Sequence, residues 1–357
     1  TIKSFFLDRY INLYGKIDFE KLLIVDEAHN FANRISKTLA EKYPYKIGLS
    51  ATPVFGSDEA KTQMLLDWFG GQVVDLPIEK ALGKYLVNYE YHPIFVNSTK
   101  EDEDKFYKAT KLMISGMDPV KKIITDETKF TLGYRGRLRA ISMAIEKLER
   151  ITEIFSHIED KDHTIIYCSD GRLWFEENDK TNEMQELRHL EYILQLINNS
   201  CLPSVSNGKA SKFTASEAVD ERMRLIDSFN KGYIEYLVAI RCLDEGINIP
   251  SIKSALILSS NDNYREFVQR RGRILRQYKN KDEEKTVAHI YDVIVLPSCS
   301  NKSFAEIEFR RFYEYSKLAL NKDVLLEELE HYLERYNLTN DDIKFDNEFV
   351  YGGDLDD

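Results

Sequence analysis

Cysteine is scarce in this chain of 357 residues: Cys168, Cys201, Cys242 and Cys299 stand far apart and form no C-x-x-C pair. Such spacing supports no disulfide framework and leaves the thiols as buried side chains. The seven histidines are scattered too, none at metal-ligand spacing from a cysteine or a second histidine, so a structural zinc site is not expected. No apolar run approaches eighteen residues, and the first residues lack the basic-then-apolar layout of a secretory signal. A soluble, cytoplasmic chain without a membrane partner is the expectation. Cations are outnumbered: 49 Lys and Arg against 60 Asp and Glu give a net charge of −11, which argues against wholesale adhesion to a phosphate backbone. The excess is uneven, because the residues from about Asp323 to the closing Asp354-Leu355-Asp356-Asp357 carry many carboxylates, whereas Tyr134-Arg135-Gly136-Arg137-Leu138-Arg139 is locally basic. Internal repeats and low-complexity segments are absent as well.

What is present begins with Leu22-Leu23-Ile24-Val25-Asp26-Glu27-Ala28-His29, two adjacent carboxylates and a histidine at the end of an apolar strand. An aspartate at the carboxyl end of a buried strand can hold Mg²⁺ in a phosphoryl-transfer site, and a second carboxylate can orient or deprotonate the attacking water. Asp26 and Glu27 suit those two tasks, although an Asp-Glu pair after an apolar strand also serves as a plain strand-to-helix turn. Gly48-Leu49-Ser50-Ala51-Thr52-Pro53 ends a second short apolar strand, where small hydroxyl residues can touch the first acidic group. Far downstream, Phe267-Val268-Gln269-Arg270-Arg271-Gly272-Arg273-Ile274-Leu275-Arg276 puts Arg273 and Arg276 on one face if the segment is helical. Paired guanidinium groups can stabilise a transferring phosphate. A solvated basic helix face is the alternative.

Together these segments resemble the superfamily 2 helicases and translocases. Motif II of that family matches Asp26-Glu27-Ala28-His29, motif III Ser50-Ala51-Thr52, and motif VI Gln269, Gly272, Arg273 and Arg276 in the pattern Q-x-x-G-R-x-x-R. Leu243-Asp244-Glu245-Gly246-Ile247-Asn248-Ile249-Pro250 looks like motif V, with Asn248 where many relatives carry aspartate. The resemblance spans residues 1 to about 295 and is closest to the branch of type III restriction-enzyme motors and repair translocases. It implies ATP and Mg²⁺ as cofactors. Asp26 would hold the metal through water, Glu27 would align the attacking water, and Arg273 and Arg276 would reach the phosphates. Gln269, Gly246 and Asn248 would line the nucleotide site, while His29, Ser50 and Thr52 would couple it to a nucleic-acid groove. The family's G-x-x-x-x-G-K-[ST] loop does not occur in the sequence, and Asn207-Gly208-Lys209-Ala210-Ser211 is its nearest approach. Thr1-Ile2-Lys3-Ser4 resembles the T-x-x-S stretch that precedes the motif II strand. The chain is therefore expected to need a phosphate loop from a missing amino-terminal segment or a partner subunit, and to be inactive alone.

Alternating apolar strands and amphipathic segments indicate an α/β fold. The expected architecture is two RecA-like parallel-sheet lobes, the first incomplete, with a helical acidic carboxyl-terminal extension. Residues 1–98 would close the first lobe, 99–145 form a helical linker, 146–300 the second lobe and 301–357 an acidic tail. Expected strands are Leu22 to Val25, Lys46 to Leu49, Thr164 to Tyr167, Tyr236 to Ile240, Ser254 to Leu258 and His289 to Ile294, with Tyr91 to Val96 as an extended exit. Expected helices run from Lys100 to about Met117, Leu138 to Ile158, Glu183 to Asn198, Ser216 to Phe229 and Tyr264 to Arg273.

Candidate nucleic-acid contacts are Ser169, after the motif IV-like strand, Thr214, and Arg135 with Arg137. For each, an ordinary turn, a cap or a solvated helix entry explains the same residues. The leading function is the motor portion of an ATP-dependent DNA helicase or translocase serving restriction, defence or repair, with DNA preferred over RNA as partner. The alternatives are an ATPase-inactive nucleic-acid-binding or interaction subunit, and an RNA helicase.

Overall fold

The computed structural model describes residues 21–34, 43–53, 59–118, 120–121, 123–159, 162–176, 184–199, 209–214, 217–240, 248–259, 264–281 and 284–344. The stretch at Thr1, the Asn207-Gly208 run, Ser216, and Gly246 with the rest of 241–247 lie outside those residues. The chain divides into two compact units, one of residues 1–77, 263–265 and 345–357, the other of 78–262 and 266–344.

In the first unit, β1 (Leu22–Val25) pairs in parallel with β2 (Tyr45–Gly48), Val25 opposite Gly48. Helix α1 (Glu59–Phe69) buries Leu65 and Trp68, and Trp68 lies 5.0 Å from the Phe31 ring in a cluster with Val25 and Ala28. Gly48 is dictated by this packing, since a Cβ there would sit 2.9 Å from the Phe69 ring. Leu22, Ile24, Ile47 and Leu49 remain about half exposed. Parallel strands ordinarily bury both faces, so this exposed apolar row is unusual.

The second unit opens with β3 (Asn88–Asn97), the helical hairpin α2 (Lys100–Ser115) and α3 (Glu127–Ser142), and the short helices α4 (Ile145–Glu149) and α5 (Ile151–Ser156). Next come β4 (Thr164–Tyr167), the antiparallel pair β5 (Arg172–Glu176) and β6 (Met184–Arg188), α6 (His189–Asn198), β7 (Ala210–Phe213) and α7 (Val219–Asn230). Then follow β8 (Tyr236–Ala239), β9 (Ser254–Ile257), α8 (Tyr264–Ile274), which belongs to this unit from Glu266 on, and β10 (Val287–Leu296). Helices α9 (Lys302–Ser316) and α10 (Lys322–Tyr336) follow. Six strands form one parallel sheet in the order β3-β10-β9-β4-β8-β7. Every residue of β4, β8 and β9 is buried, as expected of continuous apolar runs covered on both faces. The fold is α/β.

Several boundaries differ from the sequence reading. β3 is the edge strand of this sheet, paired with β10 along ten residues, so 78–98 go with the second unit rather than the first lobe. The 99–145 segment is part of the unit's body, because Phe106 stacks on Phe304 at 4.7 Å and belongs to the main core. Gly133 and Gly136 let α3 press on α2: a Cβ at Gly133 would meet the Met113 backbone nitrogen at 2.2 Å. The run from Leu138 to Ile158 is three helices, since Ala144 is extended and the Ile145 N–H turns to the Asp102 carboxylate at 3.3 Å. Residues 184–188 are a strand, and the helix starts only at His189. The segment after 300 is no appended tail, for α9 buries Phe304, Phe309, Phe312 and Tyr315, and Arg311 bonds β10 through Asp292 at 2.9 Å. Cys168 is buried, whereas Cys299 is exposed.

Candidate functional site

The acidic pair sits where β1 ends. Leu49 N–H donates to the Val25 carbonyl and Ala28 N–H to the Leu49 carbonyl, both at 2.8 Å, so the turns after β1 and β2 are tied together. Asp26 is exposed, and its Oδ1 accepts the Glu27 N–H at 3.0 Å. Glu27 adopts φ 48°, left-handed backbone that a side chain rarely takes. Its Oε2 lies 3.4 Å from His29 Nδ1, and the same nitrogen lies 3.0 Å from Ser50 Oγ. Ser50 Oγ also accepts the Thr52 N–H at 3.3 Å. One nitrogen of the buried His29 ring thus hydrogen-bonds the Ser50 hydroxyl and stands beside the Glu27 carboxylate, within the first unit.

The arginine-rich helix α8 divides its cations by face. Arg270 is buried, ion-paired to Glu266, 4.4 Å from the Tyr167 ring and donating to the Ser259 carbonyl at 3.2 Å. Arg271 is fully buried and donates to the Glu314 carbonyl at 2.7 Å. These two hold the helix to the sheet and to α9. Arg273 lies on the outer, partly exposed side of the helix, but the helix ends at Ile274, so Arg276, also partly exposed, does not share a helical face with it and instead forms an isolated bridge to Leu86. A guanidinium nitrogen of Arg276 donates to Asn248 Oδ1, joining the motif V and motif VI segments. A neutral amide carbonyl suffices for that bond. Partial burial, then the neighbouring Arg273 cation, pull Arg276 below the usual arginine value. Gln269 is half-buried on the same helix, and a Cβ at Gly272 would meet nothing within 4 Å, so packing does not demand glycine there.

Lys285, missed in the sequence, fastens the end of α8. Its buried ammonium group donates to the carbonyls of Ile274 and Arg276, the latter at 3.1 Å, and burial lowers it to about 7. Lys147 does the equivalent after β9, donating to the Leu258 carbonyl at 3.0 Å. A lone lysine in a mixed segment carries no pattern that marks it as buried.

The candidate nucleic-acid contacts fare differently. Ser169 is buried and its hydroxyl accepts the Gly171 N–H at 3.0 Å, while its own N–H donates to His189 Nδ1 at 3.2 Å. It builds the turn after β4. The Thr214 hydroxyl donates to Oε2 of the buried Glu217 at 2.8 Å. Arg137 lies over the Phe106 ring at 4.9 Å, in the body of α3 and not at a helix entry. Arg135 is exposed on that helix.

The turn holding Ser169 gives a pH prediction. Burial, then the nearby Lys147 ammonium, push the His189 imidazole down to about 3. An unfolded histidine titrates near 6.5, so its contribution is present above that value and lost as pH falls through it. At pH 5 about 2 kcal/mol of stability is expected to be lost relative to pH 7.5. Denaturant unfolding at the two pH values should show this excess in the wild type and not in His189→Gln. Parallel losses in both would remove His189 as the cause.

Residues 146–277 match the family model described as helicase conserved C-terminal domain. The chain is 23% identical over 287 residues to the DNA 3'-5' translocase XPB2 of Sulfurisphaera tokodaii, covering 75% of this chain and 58% of that one. It is 24% identical over 297 residues to a protein of Sulfolobus islandicus filamentous virus that carries a provisional helicase name, covering 81% and 46%. The chain thus spans about half the length of the curated relatives it matches. Among solved structures, the helicase domain of Pyrococcus furiosus Hef gives a TM-score of 0.42 at 13% identity, covering 82% of this chain and 75% of that one.

Proposed function

We propose that this chain is the motor portion of an ATP-dependent DNA helicase or translocase. The observation that carries the reading is the buried His29, which stands beside Glu27 and hydrogen-bonds Ser50, so that the acidic turn after β1 meets the hydroxyl turn after β2. A strand-to-helix turn has no need of it. A motor does, because hydrolysis must be felt away from the phosphates. The helicase domain over 146–277 and the likeness to a DNA translocase support the same reading.

Asp26 fits a cation held through water: its carboxylate is exposed at the carboxyl end of a parallel strand. Bound there, Mg²⁺ would neutralise charge developing on the phosphates. Glu27 would orient the attacking water, and Arg273 and Arg276 would offer guanidinium groups to the phosphates. Restriction, defence and repair are the settings this reading favours. The phosphate loop would come from another segment or subunit, and the apolar row of Leu22, Ile24, Ile47 and Leu49 is the surface it would cover.

The test is phosphate release by the complete protein carrying this chain, with and without DNA. Turnover is expected to rise on adding DNA and to stay low with RNA. Turnover indifferent to both nucleic acids would overturn the motor reading, and stimulation by RNA alone would reassign its track.

A further inference from the structure

We propose that Glu90, His92 and His289 form a binding site for a divalent transition-metal ion of the zinc type, at the end of the sheet opposite the motif-bearing turns. Glu90 and His92 project from one face of the edge strand β3, and the register places His289 of β10 directly beside Glu90. Along the chain the two histidines are 197 positions apart, which is why their spacing gives no signal. In space, His92 Nε2 lies 3.2 Å from His289 Nδ1, and Glu90 Oε2 lies 3.7 Å from the former and 3.6 Å from the latter.

These three separations decide between two readings of the cluster. As a hydrogen-bonded group, a single proton could serve the two rings. The carboxylate oxygen would then stand 3.7 and 3.6 Å from the two nitrogens, too far to hydrogen-bond either. As a metal site, the triangle is close to ideal. Ligand atoms about 2.0–2.1 Å from a tetrahedral Zn²⁺ stand about 3.3–3.4 Å from one another. Two imidazoles and one carboxylate suit zinc and neighbouring transition metals and leave a fourth position for water. The three side chains are partly exposed, which gives the ion a path of entry.

The surroundings hold the ligands in place. Tyr291 stacks on the His92 ring at 4.7 Å and 20°, fixing its plane, and the tyrosine hydroxyl is itself engaged by the Glu159 N–H at 3.3 Å. An ion here would rivet the edge strand β3 to β10. Because the site sits near the amino ends of these strands, while the motif turns follow the carboxyl ends of β4 and β9, its role is to fix the sheet edge and not to take part in phosphate chemistry.

Titration of the metal-free chain with ZnCl2, followed by calorimetry, should show one saturable site and a rise in the thermal midpoint, neither of which MgCl2 produces. His92→Gln and His289→Gln should each weaken Zn²⁺ binding by roughly 100-fold or more, since loss of an outer-shell partner alone costs 10- to 100-fold. Their metal-free midpoints should stay close to the wild-type value. Co²⁺ should give the visible absorption of a tetrahedral site in the wild type and not in either variant. Absence of binding, or equal binding by wild type and both variants, would overturn the proposal. Should a variant shift the metal-free circular dichroism, Glu90→Gln, at a partly exposed position, decides by the same criteria. The readouts are independent of ATP turnover, so the site and the motor reading can fail separately.

Discussion

Glu27→Gln in the complete protein is expected to leave ATP binding intact and to lower turnover by roughly 10²- to 10⁴-fold, the usual share of a positioned general base. Glutamine matches glutamate in size, but its amide cannot accept the proton of an attacking water. The turn itself should survive the exchange, because its hydrogen bonds are made by backbone: Asn30 N–H to the Glu27 carbonyl at 2.9 Å and Ala28 N–H to the Leu49 carbonyl at 2.8 Å. The left-handed backbone at Glu27 supplies a control. A side chain held at φ 48° costs about 1–3 kcal/mol, a strain that glycine does not feel. Glu27→Gly should therefore lose turnover while gaining stability, separating chemistry from folding. Nucleotide binding by fluorescence and phosphate release under saturating DNA are the measurements. Turnover near wild type in Glu27→Gln would strip this residue of its role, and failure to bind ATP would show that it shapes the pocket instead.

The strands most readily legible in the sequence were those whose whole length is buried. Thr164 to Tyr167, Tyr236 to Ala239 and Ser254 to Ile257 are short apolar runs because helices cover both their faces, and composition alone marks them. β3 was half legible. Pro93 marks an extended segment but not its pairing, and on an edge strand one side of the backbone has no ladder partner to lose, so proline is tolerated in a strand that pairs over its full length. Residues 184–188 misled for the opposite reason: Met-Gln-Glu-Leu-Arg has good helix formers and no strong alternation, and only its pairing with 172–176 makes it a strand.

The candidate site divides along the same line between local and long-range information. Spacing along one element could place Arg273, because helical geometry puts Arg270 and Arg271 on the buried face and leaves it outside, but not Arg276, since the helix ends at Ile274 and Arg276 follows it. Spacing could not tell that Ser169 is consumed by its own turn, nor that Asn248 would meet Arg276, since each depends on where a distant strand ends. The histidine pair is the extreme instance. Nothing within either strand singles it out, and register alone creates it.

Arg311→Met is expected to destabilise the second unit by about 3–5 kcal/mol, which is the usual result of breaking a buried ion pair from one side. Arg311 donates to Asp292 Oδ2 at 2.9 Å and to both oxygens of Glu308 at 2.6 and 3.0 Å, and all three residues are buried. Further donors converge on the same carboxylates: the Tyr91 hydroxyl reaches Asp292 at 2.8 Å and the Val295 N–H reaches Glu308 at 2.6 Å. The network therefore ties α9 to β10 and, through Tyr91, to the edge strand β3. Methionine fills much of the space but strands two carboxylates without their cation. At roughly 2–4 °C per kcal/mol for a unit of this size, the thermal midpoint should fall by about 6–20 °C. The deficit comes from uncompensated charge and not from lost packing, so removing the charge should repair it. Adding Asp292→Asn and Glu308→Gln to Arg311→Met should recover most of the loss, because both amides keep acceptors for Tyr91 and Val295. A triple variant no more stable than the single one would show that the guanidinium acts through shape. A single variant as stable as the wild type would mean that α9 is held by its apolar face alone, through Phe309, Phe312 and Tyr315, with the ion pairs contributing nothing net.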